Sequence, residues 1–173
     1  MNRIGIIGAM DEEVDILVEL MDIKETIEKA SLKFYKGTLE GKDIVLVRCG
    51  IGKVNSALCA QILISEFNVD AVVNTGVAGA LHSELDVLDM VISTDAIQYD
   101  VDTTAFGDPK GTIPRMESSV FVADEKLINA AYESSIKEMK SNKVLKRRVA
   151  TGDIFISSKE LKEELVNDFN AYC

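Results

Sequence analysis

The chain has 173 residues, 47% hydrophobic and 28% charged, with a net charge of −10. That length and balance suit one globular domain with a sizeable core and give no compositional sign of disorder. The acidic balance argues against a nucleic-acid backbone as partner, because phosphate binding needs clustered Lys and Arg. The only basic cluster, Lys146-Arg147-Arg148, reads as a solvated helix-to-strand connection. No apolar run is long enough to cross a bilayer. The apolar start, Ile4-Gly5-Ile6-Ile7, is too short for a signal peptide and runs into Asp11, Glu12 and Glu13. No membrane partner and a cytoplasmic location are expected.

In chain order, residues 3–7 form a short β-type run ended by Gly8. Val14, Leu17, Val18 and Met21 put one apolar face on a helix over 12–21. Residues 33–39 and 43–48 read as strands of a hairpin turning at Glu40-Gly41-Lys42. Gly50-Ile51-Gly52 leads into a helix over 53–67, and 71–75 reads as a fully buried strand before Gly76-Val77-Ala78-Gly79. A strand is expected over 88–97, and loop signals (Gly107, Pro109, Gly111, Pro114) fill 98–116. Asp124 is placed to cap a helix running to about Met139, with Leu127, Ala130, Ala131 and Ser134 inward. A strand over 144–151, a turn at Gly152-Asp153 and a helix over 159–168 capped by Ser158 complete the pattern. Residues 169–173 look like the entry to another buried strand, so the chain reads as one α/β domain over 1–173, incomplete at its C-terminus. Its fold class is α/β, with a mixed central sheet flanked by helices, because a hairpin is embedded among strand–helix units.

Chemistry-bearing residues are few. Cys49, Cys59 and Cys173 have no metal-ligand spacing and sit among apolar neighbours, as reduced buried thiols would. His82 is the only histidine, which excludes a histidine cluster, and no Gly-x-Ser-x-Gly elbow accompanies it. Three glycine turns follow strand-like segments, at Gly8, Gly50 and Gly76, where open α/β sheets tend to line a common crevice. None carries a dinucleotide or P-loop fingerprint. The triplet Asp11-Glu12-Glu13 after the first turn has two readings: acidic residues complementing the helix dipole, or one carboxylate aimed into the crevice as a general base.

Five segments together resemble the 5′-methylthioadenosine/S-adenosylhomocysteine nucleosidases, within the nucleoside phosphorylase superfamily. They are Ile4-Gly5-Ile6-Ile7-Gly8-Ala9-Met10-Asp11-Glu12-Glu13-Val14, Gly50-Ile51-Gly52-Lys53-Val54-Asn55, Asn74-Thr75-Gly76-Val77-Ala78-Gly79, Thr104-Ala105-Phe106-Gly107 and Gly152-Asp153-Ile154-Phe155-Ile156, in the family's order and spacing. The resemblance implies hydrolysis of an N-glycosidic bond, releasing adenine and a 5-thioribose product, without metal or cofactor. It makes Glu13 the base that activates water. Val77, Ala78 and Gly79 would lie beside the sugar and water, and Ala9, Met10 and Ile51 near the 5′-thio substituent. Phe155 would stack on adenine, and the Ile156 backbone would read its edge. Phe106 and Pro114 would reach into a neighbouring subunit's pocket, which implies a homodimer. Val77 departs from the serine often found at its position.

The family continues past the segment matching Cys173 with a Met-Glu pair for the ribose hydroxyls and a Ser-Asp that protonates the leaving base. The 173 residues are therefore expected to be poorly active or inactive alone. Two other readings stay open. A phosphate-dependent nucleoside phosphorylase is disfavoured by Asn74, where many such enzymes carry a phosphate-binding arginine. A non-catalytic nucleoside-binding or dimerising remnant is the other.

Overall fold

The computed structural model describes residues 2–173, and its contacts divide the chain into two compact units, Met1–Val77 and Ala78–Cys173. The α/β class holds, with the strands distributed over two mixed sheets flanked by helices.

In the first unit, β1 (Arg3–Gly8), α1 (Asp11–Leu20), β2 (Asp22–Lys29), β3 (Leu32–Leu39), β4 (Lys42–Arg48), α2 (Lys53–Phe67) and β5 (Ala71–Asn74) follow in order. The sheet order is β2-β3-β4-β1-β5; β1 runs parallel to β4 and β5, and β3 antiparallel to its two neighbours. The core sits on both sides of β4, because successive side chains of a strand point to opposite faces. Ile44 and Leu46 pack with Val14 and Met21 of the α1 side. Val45 and Val47 pack with Cys59, Leu63 and Phe67 of α2, where Phe67 stacks on Phe34 with ring centroids 4.9 Å apart. Helix α1 begins one residue earlier than its apolar spacing suggests. The expected strands over 33–39, 43–48 and 71–75 agree with β3, β4 and β5 to within one residue at their ends. Strand β2 carries no strand-like sequence signal. It is an edge strand of mostly charged residues, held by the partly buried Ile23 and Ile27.

In the second unit, β6 (Met90–Gln98), β7 (Val120–Val122), α3 (Glu125–Glu138), β8 (Val144–Thr151) and α4 (Lys159–Phe169) form a three-stranded sheet, ordered β7-β6-β8, with two helices. Strand β6 is parallel to β8 and antiparallel to the short β7, which sequence reading leaves out. Its start lies two residues later than expected, because Leu88 adopts φ 73° in a turn. Asp124 caps α3 by accepting from the Lys126 and Leu127 amides, and Ser158 caps α4 by accepting from Leu161. The expected inner face of α3 needs correction. Ala130, Ala131 and Ser134 are exposed, and the part-buried positions are Leu127, Ile128, Tyr132, Ser135 and Met139. The 3.6-residue stripe is rotated because the larger Ile128 and Tyr132 take the sheet side. Leu165, Phe169 and Ala171 form a core with Ile97 and Tyr99.

Lys146, Arg147 and Arg148 lie within β8, not in a connection. Arg148 pairs with Asp95 and donates to the Phe169 carbonyl at 2.9 Å, and Lys146 Nζ sits 4.5 Å from the Tyr132 ring centroid. Arg147 lies over Tyr172, whose other stacking partner is His82. Strand residues with long side chains can pair with neighbouring elements, so the charge run is structural.

Candidate active site

The first unit holds five of the predicted residues, and the amides of three of them, Ala9, Met10 and Val77, meet the carboxylate of a fourth, Glu13. Gly8 ends β1, and the chain turns through Ala9 and Met10 into α1, whose third residue is Glu13. Glu13 Oε2 accepts from the amides of Ala9 at 2.6 Å and Met10 at 3.1 Å, while Oε1 accepts from the Val77 amide at 3.0 Å. Of the three acidic residues, Glu13 carries the helix-start contacts. Glu13 satisfies amides at the helix start and also holds the loop after β5. Asp11 and Glu12 are exposed, and Asp11 is occupied by Arg48 Nε at 2.9 Å.

Gly76 makes this contact fit. A Cβ at Gly76 would lie 2.4 Å from Glu13 Oε1, closer than any real side chain approaches, so only glycine lets the loop come this near. The hydrogen bond from residue 77 comes from its backbone. Valine in place of serine therefore leaves the link to Glu13 intact. Ala9, Met10, Asp11, Glu12, Arg48, Gly50 and Ile51 line a shallow pocket of about 310 Å³. Ile51 is 75% exposed there, and Asn55 donates to its carbonyl at 2.7 Å, fixing the Gly50-Ile51-Gly52 turn.

The second unit carries the other predicted residues. Ala78 and Gly79 are exposed in a loop, and a Cβ on Gly79 would meet no atom within 4 Å, so its neighbours do not require glycine. Phe106 ends a single 3₁₀ turn, Thr104–Phe106, and is 89% exposed. The Thr104 hydroxyl and amide both donate to Asp102, holding that carboxyl below its usual range and anchoring the turn. Pro114 is exposed in the loop before β7. Phe155 is 90% exposed after β8, while Ile156 packs partly against the Tyr99 and Leu165 core. Tyr99 and Asp100 border the turn before Phe155 and carried no sequence signal, because their importance lies only in what they touch. Among the described residues, no group of three or more His, Cys, Asp or Glu side chains could hold a metal ion.

The Phosphorylase superfamily profile matches residues 3–173. The 5′-methylthioadenosine/S-adenosylhomocysteine nucleosidase of Neisseria meningitidis, solved in complex with methylthio-immucillin-A, superposes with a TM-score of 0.92 at 36% identity, covering 99% of this chain and 74% of that one. The chain belongs to the 5′-methylthioadenosine/S-adenosylhomocysteine nucleosidase family. The nucleosidase of Colwellia psychrerythraea, solved in complex with adenine, superposes with a TM-score of 0.91 at 38% identity, covering 99% of this chain and 70% of that one. The curated nucleosidase of Anoxybacillus flavithermus is 46% identical over 154 residues, 89% of this chain. The chain spans 66% of that relative's length. Family membership agrees with the glycine turns and the carboxylate cradle. Among the described residues, no helix is long and apolar enough to cross a membrane.

Proposed function

We propose that the protein hydrolyses the N-glycosidic bond of 5′-methylthioadenosine and S-adenosylhomocysteine, releasing adenine and a 5-thioribose product. The observation that carries this reading is the Glu13 carboxylate, held by the Ala9, Met10 and Val77 amides, with Ala9 and Met10 themselves lining a pocket. A base that is fixed before substrate arrives loses little on ordering. Glu13 takes a proton from water as its oxygen bonds to the anomeric carbon. The electrons of the breaking carbon–nitrogen bond leave on the adenine nitrogen, which takes up a proton from solvent or an acid to give neutral adenine. An oxocarbenium-like sugar is favoured beside such an anion.

In this reading Ala9, Met10 and Ile51 hold the 5′-thio substituent, and Val77, Ala78 and Gly79 border the sugar and water. Phe155 stacks on the base, and the Ile156 backbone reads its edge. The exposure of Phe106 and Pro114 supports a homodimer in which they reach the partner's pocket. The buried free thiols of Cys49 and Cys59 support a cytoplasmic setting.

Water is the nucleophile in this reading, supported by Asn74 at the end of β5 where a phosphate-binding arginine would otherwise stand. The test is adenine release by the full-length protein with and without phosphate. Release that is independent of phosphate and lost in Glu13→Gln is expected. Release that requires phosphate would transfer the assignment to a phosphorylase.

A further inference from the structure

The turn after β8 is tied down from beneath by two residues that follow β6. Tyr99 is 4% exposed, and its phenolic hydroxyl donates to the Ile154 carbonyl at 2.6 Å. Its amide donates to the Thr151 carbonyl at 3.1 Å. The ring occupies the space over Gly152, where a Cβ would lie 2.5 Å from Tyr99 Cε1. One residue on, the Asp153 amide donates to the Asp100 carboxylate at 2.9 Å. Residues 151–154 are thus each fixed by Tyr99 or Asp100, and the next residue is the outward-facing Phe155.

An exposed aromatic ring at the end of a free loop would sample many orientations, and stacking a ligand on it would carry the full ordering cost. Anchoring the backbone immediately before the ring removes most of that cost. We infer that Tyr99 is a positioning residue for the nucleobase: its hydroxyl fixes the Ile154 carbonyl and so aims the Phe155 ring at adenine. This rests on the nucleosidase reading above. Tyr99 itself lies in the core and acts through the turn.

Tyr99→Phe keeps the ring over Gly152 and removes the donor to Ile154. The test is calorimetric titration of adenine into the full chain, for wild type, Tyr99→Phe, Phe155→Ala and the double variant. Tyr99→Phe weakens adenine binding on the order of tenfold with unchanged stoichiometry, and the double variant binds no more weakly than Phe155→Ala. Asp100→Ala, which loosens the second tie, gives a smaller loss that also vanishes beside Phe155→Ala and serves if Tyr99→Phe does not fold. A merely structural Tyr99 would lower the melting temperature and leave the affinity of the folded protein alone. Wild-type adenine affinity in Tyr99→Phe overturns the inference, as does a loss that adds in full to that of Phe155→Ala. A wild-type protein that binds no adenine instead brings down the nucleosidase reading and this inference with it.

Discussion

Glu13 and Val77 are 64 positions apart in the chain, yet the Val77 amide donates to Glu13 Oε1 at 3.0 Å. This bond ties the start of α1 to the loop after β5. The parallel pairing of β1 with β5 brings the two together, and the Thr75 amide donates to the Ile7 carbonyl one step before the loop. The same carboxylate serves as the helix-start acceptor and as the proposed base.

Glu13→Gln tests both roles. A glutamine has one accepting oxygen, so it cannot serve the Ala9 and Met10 amides on one side and Val77 on the other. A stability loss of about 1 kcal/mol is expected from denaturant unfolding, with turnover falling about a hundred- to ten-thousand-fold in an adenine-release assay. Glu19→Gln, at an exposed position of the same helix outside the pocket, leaves both unchanged. Turnover in Glu13→Gln within a few-fold of wild type would remove Glu13 from the chemistry.

Gly76→Ala places a methyl group where Glu13 Oε1 now lies. Either the loop or the carboxylate must shift, at a cost of about 1–3 kcal/mol. Because the displaced group is the proposed base, turnover of the fully folded variant at low temperature falls by more than tenfold, an estimate from the sensitivity of catalysis to ångström-scale misplacement. Unchanged turnover would mean that the Glu13 position is not critical.

Phe106 and Phe155 are the most exposed aromatic side chains described, at 89% and 90%. Replacing either with alanine changes stability by no more than about 0.5 kcal/mol, since neither ring is in the core. The functional readouts separate them. Phe155→Ala raises KM for nucleoside, whereas Phe106→Ala shifts sedimentation velocity toward the monomer. A large fall in melting temperature in either variant would instead mark that ring as a packing residue.

Burial, with the Cys49 sulfur adding to it, pushes the Cys59 thiol up to about 12 from an ordinary value of 9.0. The unfolded thiol ionises first as pH rises, so the protonated native thiol contributes fully to stability below pH 9. That contribution is lost between about pH 9 and pH 12. Cys59→Ala flattens this part of the stability–pH profile measured by urea unfolding. Native Cys59 also resists alkylation at pH 8, and rapid labelling without unfolding would contradict its burial.

Much of the first unit is legible in the sequence because local rules act there. Apolar spacing marks α1, and the buried run from Ile44 to Val47 marks β4. Where partners are distant, local rules fail. The charged β2 becomes a strand only because β3 offers its edge, and the inner stripe of α3 is set by the sheet it covers. The candidate site divides in the same way. Motif residues such as Glu13 and Phe155 stand out by their company in the sequence, whereas Tyr99 and Asp100 have no distinguishing neighbours.

The sequence by itself determined the α/β class, the glycine turns at strand ends and the family through five ordered segments, because each is encoded in residues close together along the chain. Local composition left Asp11, Glu12 and Glu13 with two readings, and the family resemblance singled out Glu13 among them. Only the tertiary structure gave Glu13 its cradle, because the amide that completes it belongs to Val77, and strand pairing alone brings that amide within reach.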